Sequence, residues 1–259
     1  MRYYKGYIAI SDASDVPVLL QIRNARAVCF DQLRELVSLE LAGTLSRTLR
    51  WRLARMEKAG LVSRFDRYKH FGKPVFGITQ QGLECLETRS HYLLSLPSST
   101  EQMLHASQIP HALELVNIRL ALAKGGVLRS WKCEMEITSR NLILGHGSAK
   151  DFDAIAEVEV AGASKRFAIE YERTPKSAAR YRAIREVIDK DESTDTVLYL
   201  TPNDDLLYLL ATEMRSCHKL IGFALSESFR RSLLETSTLT NTENSEVMAL
   251  RDLLAAKSL

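Results

Sequence analysis

Three carboxylates in the second half of the chain, Asp153, Glu170 and Glu172, have the spacing of a divalent-cation site. Phe152–Val160 and Arg166–Arg173 alternate apolar and polar residues around Ala161-Gly162-Ala163-Ser164, the pattern of two strands and a turn. Asp153 then falls on one strand and Glu170 on its neighbour. Glu172, two residues further, shares the face of Glu170. Carboxylates gathered on one sheet face repel unless a cation neutralises them, and hard oxygen donors suit Mg2+ or Mn2+. Such an ion activates water and steadies in-line attack on a phosphodiester. The alternative is that these groups are solvated or paired with Arg173, Arg180 or Arg182. His111 and Glu114, three apart on one helix, either join a metal site or serve as hydrogen-bonding residues near the helix start.

A second chemistry sits earlier in the chain. From Thr44 to Lys73 run Arg47, Arg50, Arg52, Arg55, Lys58, Arg64, Arg67, Lys69 and Lys73, against Glu57 and Asp66, so the segment carries nine minus two, or +7. The whole chain is only +3, which leaves −4 for everything else. A positive field concentrated in one segment points to a polyanion as its partner.

The elements that position these groups follow from periodicity. Short helices are predicted over Asp15–Arg26 and Phe30–Leu39, the second with Phe30, Leu33, Leu36 and Val37 on one face. A third, about Ser46–Ala59, has Leu49, Leu53 and Met56 for its inner line and is capped by Thr44 or Ser46. Its arginines are expected on the side away from the core, with Trp51 packed on a neighbouring helix. Gly60 suits the positive φ of a helix end. Strands Leu61–Phe65 and Val75–Ile78 then flank a basic loop closed by Gly72 and Pro74, and a helix capped at Thr79 follows, with Tyr92, Leu93 and Leu94 after it.

Ser95–Thr100 breaks the pattern. The expected organisation is a DNA-binding domain over 1–95, a linker over 96–108, an α/β domain over 109–235 and a tail over 236–259. In the α/β domain a helix at Ile109–Lys124 precedes strands at Trp131–Ile137, Phe152–Val160 and Arg166–Arg173. A helix at Ser177–Lys190, a strand at Thr196–Leu200, a helix at Asn203–Met214 and a last strand at Leu220–Leu225 complete it. Strand–helix–strand crossovers imply some parallel pairing. The tail, with Val247, Leu250, Leu253 and Leu254, suits an amphipathic helix.

The string Leu53…Met56-Glu57-Lys58-Ala59-Gly60-Leu61-Val62, a basic hairpin and Phe76-Gly77-Ile78-Thr79-Gln80-Gln81-Gly82 resembles the winged-helix regulators of bacteria and phages. That resemblance implies a helix in the major groove and a wing on the flanking backbone. Ser46, Arg47, Arg50, Arg52, Arg55, Arg67, Lys69 and Lys73 are then the DNA-binding residues. Arg47 and Arg50 are the base readers, because a guanidinium suits guanine O6 and N7.

The second half resembles the PD-(D/E)XK nuclease core. The whole chain is similar to the replication-relaxation family of mobile elements, which joins a winged helix to such a domain. The matching residues are His111-Ala112-Leu113, Asn117, Trp131, Glu134, Asp151-Phe152-Asp153-Ala154, Ile169–Thr174 and Arg180-Tyr181. The resemblance makes Asp153, Glu170 and Glu172 the catalytic set and Asp153 with Glu170 the metal ligands. One departure matters: Glu172 stands where that core has the lysine that assists the attacking water. Lys165 and Lys176 are the available substitutes.

The expected fold is therefore a two-domain α+β and α/β protein: an N-terminal winged helix and a mixed sheet flanked by helices. The expected function is sequence-specific binding of double-stranded DNA, as a homodimeric transcription regulator or replication accessory of a plasmid, phage or integrated element. The nuclease-like domain then serves dimerisation or partner binding. The alternative is an Mg- or Mn-dependent endonuclease targeted by its winged helix. Apolar runs too short to span a bilayer, and no signal-like start, place the protein in the bacterial cytoplasm with the nucleoid. Cys29, Cys85, Cys133 and Cys217 lack metal-binding spacing and are expected as reduced thiols.

Overall fold

The apolar periods of the first hundred residues become three helices folded onto a small sheet. The computed structural model describes residues 9–40, 46–70, 72–90, 104–144, 148–242 and 245–256. Helices α1 (Val16–Ala25), α2 (Phe30–Glu40) and α3 (Ser46–Lys58) surround a three-stranded antiparallel sheet. Its order is β1 (Val28–Cys29), β3 (Lys73–Ile78), β2 (Val62–His70). Leu49, Leu53 and Met56 are buried as their spacing predicts, beside Leu19, Ile22, Leu33 and Leu36. Gly60 ends α3 at φ +76°. Its N–H donates to the carbonyl of Glu57 and that of Leu61 to the carbonyl of Met56, the paired bonds that close a helix through a left-handed residue.

At the start of α4 (Gln80–Leu86), Thr79 Oγ1 accepts from the Gly82 N–H at 3.1 Å. Gly82 packs so near the Leu61 carbonyl that a Cβ would lie 2.2 Å from its oxygen, so only glycine allows this approach. The expected caps before α3 and residues 92–100 lie outside the described residues, apart from Ser46, whose side chain is also outside them.

The chain divides into two contact units, Met1–Val116 and Asn117–Leu259, and the division falls inside α5 (Ile109–Lys124). The first turns of α5 belong to the first unit: Ile109, Ala112 and Leu113 pack with Ala27, Cys29 and Val75.

The second unit is a mixed seven-stranded sheet with helices against it. Strands β4 (Leu128–Cys133), β5 (Ala154–Val160) and β6 (Ala163–Tyr171) are antiparallel. Crossovers through α7 (Ala178–Ile188) and α8 (Asp204–Glu213) bring β7 (Thr196–Thr201) into parallel register beside β6 and β8 (Leu220–Leu225) beside β7, as expected. One face buries Ile155, Ala168, Val197, Tyr199, Ile221 and Phe223 under Tyr181, Ile188, Leu206, Leu210 and Met214.

Two expectations need correction here. Residues 134–137 are helical, not strand: α6 (Glu134–Leu144) begins where β4 stops. Alternation over four residues fits either period. Glu134 and Glu136 in the first turn favour the positive helix end, and the Glu136–Arg140 ion pair at 2.8 Å needs helical i,i+4 spacing. Nor is β8 the last strand. After α9 (Ser226–Ser232), β9 (Ser237–Thr240) pairs with β8 and β10 (Val247–Ala249) with β9, before α10 (Leu250–Ala255). Thr238 and Thr240 are buried, so threonine-rich polarity hid a sheet strand. Leu250, Leu253 and Leu254 are buried on α10, as an amphipathic helix requires, and Leu253 packs over Gly222 of β8. Val247 lies on β10 and is exposed.

All four cysteines are free thiols. Among the described residues no helix is long and apolar enough to cross a membrane.

Candidate nucleic-acid interface and the carboxylate–lysine cluster

Asp15, one residue ahead of α1, decides what the basic helix can offer. Its side chain is 1% exposed and faces two α3 arginines. Arg52 Nη1 donates to Oδ1 at 2.8 Å, Arg55 Nη2 donates to Oδ2, and the Ser11 N–H adds a third donor at 2.9 Å. Burial alone would raise the Asp15 pKa. The Ser11 N–H and the Arg55 and Arg52 guanidiniums outweigh it and hold the carboxyl below its ordinary value. Arg52 also donates to Ser14 Oγ and Arg55 to the Ala9 carbonyl.

Arg52 and Arg55, expected to face DNA, are therefore committed to holding α3 on the residues before α1. At about 100° per residue Arg52 flanks the core line of the helix, and Arg55 reaches Asp15 from further round. Sequence spacing, which put Asp15 at the start of the first helix, missed this role because its partners lie 37 and 40 residues along the chain.

The other described cations of α3 and the hairpin sit outward. Arg50 is exposed, with its guanidinium carbon 4.9 Å from the Phe30 ring centroid on α2. Lys58 and Lys69 are exposed, and no ion pair holds them among the described residues. Lys73 is 53% exposed and pairs with Asp31, whose carboxyl it holds below the ordinary value. Arg64, on β2, binds Glu57 Oε1 at 2.7 Å. Between α2, α3 and the hairpin lies a cleft of about 380 Å³, its walls including Phe30, Leu53, Phe76, Arg50, Arg64 and Lys73. The side chains of Ser46, Arg47 and Arg67, also expected at this surface, lie outside the described residues. Trp51 does not pack on a neighbouring helix: it is 57% exposed.

Asp153 and Glu170 do come together at one end of β5 and β6. The register sets Ala154 opposite Ile169, which brings Asp153 to Glu170. The Asp153 N–H donates to Glu170 Oε1 at 3.3 Å, and the Tyr171 N–H donates to Asp153 Oδ2 at 2.7 Å. Each glutamate has its own ammonium: Lys150 Nζ binds Glu170 Oε1 and Lys176 Nζ binds Glu172 Oε2. Burial pushes the Glu170 carboxyl above its ordinary value. Lys150 opposes that shift and Asp153 adds to it. Burial likewise lowers the Lys176 ammonium, more than Glu170 restores it. Beside Glu170 in the parallel register, the buried Tyr199 phenol is pushed well above its usual value, first by burial and then by Glu170 and Asp153.

Glu170 and Glu172 thus take lysines as their ion-pair partners. Lys176 had been visible as a substitute near the Glu172 position. Lys150, just ahead of Asp151-Phe152-Asp153, had not, although its nearness to that motif was a usable signal.

An Mg2+ or Mn2+ ion needs oxygen lone pairs converging on one point. Here one oxygen of Glu170 and one of Glu172 face ammonium groups, and one Asp153 oxygen faces a backbone donor. Among the described residues no group of three or more His, Cys, Asp or Glu is arranged to hold a metal ion, and that includes His111 with Glu114. Glu170 and Glu172 are each ion-paired to a lysine rather than grouped around a shared point.

Compared with protein families, residues 19–191 match the one described as replication-relaxation, a stretch covering both the basic helix and the carboxylate–lysine cluster. No curated protein matches the chain.

Proposed function

From the premise that this chain belongs to the replication-relaxation family, as a replication-related protein of a mobile element, we propose that it binds double-stranded DNA through its first unit. In this reading α1, α2 and α3 with the β2–β3 hairpin act as a winged helix-turn-helix. The observation that carries it is the surface made by α3 and the hairpin. Arg50, Lys58, Lys69 and Lys73 stand outward there, and the inner line of α3 is buried. Ammonium and guanidinium groups on a rigid helix and hairpin suit contact with duplex phosphates. Lys58, Lys69 and Lys73 meet phosphates, and Arg50 reaches the groove edge.

The protein acts as a regulator or replication accessory of its element in the bacterial cytoplasm, as a homodimer on two half-sites. The second unit does not cleave DNA, because the charge a divalent ion would neutralise is already met by Lys150 and Lys176. It serves dimerisation or partner contact.

A mobility-shift titration at low salt tests the first part, the expected outcome being a shifted duplex whose affinity falls steeply with added salt. A folded protein that shifts no duplex would overturn the reading. Supercoiled and linear DNA incubated with Mg2+ or Mn2+ tests the second, with no cleavage expected. Metal-dependent cleavage that disappears in an Asp153→Ala, Glu170→Ala double variant would make the protein a nuclease instead.

A further inference from the structure

The outward face of α3 presents an indole where a guanidinium was expected. Leu49, Leu53 and Met56 mark the buried line of the helix. At about 100° per residue the opposite line runs through Trp51, Ala54 and Lys58. Trp51 is 57% exposed, and Ala54 and Lys58 are exposed with it. Two neighbouring cations turn aside, Arg52 and Arg55 to Asp15, while Arg50 lies over the Phe30 ring and stays exposed.

Arg55 does a second thing on the way. Its guanidinium carbon lies 4.9 Å from the Trp51 ring centroid, one helical turn along, and its own position is held by Asp15 and the Ala9 carbonyl. The indole therefore stands on a seated cation rather than moving freely, so little rotamer freedom remains to be lost when something covers it.

A large exposed aromatic among cations needs a partner that is anionic outside and apolar at one point inside. The major groove of DNA has that character: phosphates line its rims, and its one protruding apolar feature is the C5-methyl of thymine. We propose that Trp51, with the methyl of Ala54 beside it, is the principal base contact of α3 and recognises a thymine 5-methyl group in double-stranded DNA. The proposal rests on the DNA-binding reading above and changes its chemistry. Sequence preference comes from van der Waals contact with a methyl group, and the cations supply affinity and register.

Deoxyuridine isolates this contact, because it removes the methyl and keeps every hydrogen-bonding group of the pair. A preferred duplex is selected from a random library with the full-length protein, then remade with single thymidine-to-deoxyuridine changes. At one or two positions the change is expected to weaken wild-type binding about fourfold, the worth of one buried carbon. Trp51→Ala is expected to bind the parent duplex less well and to become indifferent to those changes, whereas Trp51→Phe keeps part of the response. Circular dichroism and the remaining Trp131 fluorescence confirm that each variant is folded.

Wild-type protein that keeps a sequence preference yet ignores deoxyuridine at every position would overturn the proposal and leave DNA binding intact. So would Trp51→Ala with unchanged affinity and preference, which would assign the indole to a protein partner. Failure of the wild type to bind any duplex would overturn both readings.

Discussion

Asp15 in the first unit and Glu170 in the second are both shut away from solvent beside long-chain cations, yet their pKa values move in opposite directions. Asp15 has two guanidiniums and a backbone N–H around one carboxylate. Glu170 has one ammonium and a weaker N–H, with a second carboxylate at its side. Burial penalises the charged form in both, and the outcome turns on how many donors answer it. The same arithmetic separates the two units functionally. The first unit meets its buried charge with two arginines and leaves other cations facing out. The second sets Lys150 and Lys176 against its own glutamates.

The largest effect should come from breaking the Asp15 site. Asp15→Asn strands two guanidiniums that are about four-fifths buried, and is expected to lower the unfolding free energy by about 3 kcal/mol at pH 7 in urea titrations. The sign with pH follows from a depressed folded-state value. The stabilisation is present above the ordinary aspartate range and is lost as pH falls through the folded pKa. Wild type and variant should therefore converge in strong acid. A gap that persists there would mean that Asp15 acts through packing alone.

Glu170 should behave the other way. Its raised value gives a contribution that is complete below the ordinary glutamate range and disappears as pH rises through the folded pKa. Stability measured against pH should fall for wild type relative to Glu170→Gln above that range. A rise instead would show that Lys150 outweighs burial and that the two sites are alike after all.

At the surface the comparison concerns affinity. Lys58→Ala with Lys69→Ala is expected to weaken duplex binding roughly tenfold near physiological salt and to reduce the slope of log K against log salt by about 2. An unchanged slope would remove both lysines from the phosphate contacts. The smallest change belongs to Lys176→Ala. Its ion pair with Glu172 is partly open to water, so thermal unfolding should register a cost of about 1 kcal/mol or less.

Much of this architecture is legible in the chain. The intervals between Leu49, Leu53 and Met56, the Gly60 stop and the crossovers around Thr196–Thr201 state their elements locally, because burial imposes a period on neighbouring residues. The signal failed where two periods coincide, at Glu134–Ile137, and where a strand is built of threonine, at Ser237–Thr240.

The candidate sites were legible only in part. Asp153 and Glu170 could be paired in advance through the turn that joins their strands. The occupants of that pair could not, since Lys150 lies twenty residues from Glu170 along the chain. Arg52 and Arg55 read as groove contacts for the same reason, with Asp15 37 and 40 residues away.

By itself, then, the sequence determined most of the helices and strands, and that positive charge is concentrated between Thr44 and Lys73. Only the tertiary structure decided which of those charges meet water and which meet each other. Periodicity is a property of residues next to one another, whereas the partner of a charge is chosen by folding among residues far apart, at the cost of taking both out of solvent.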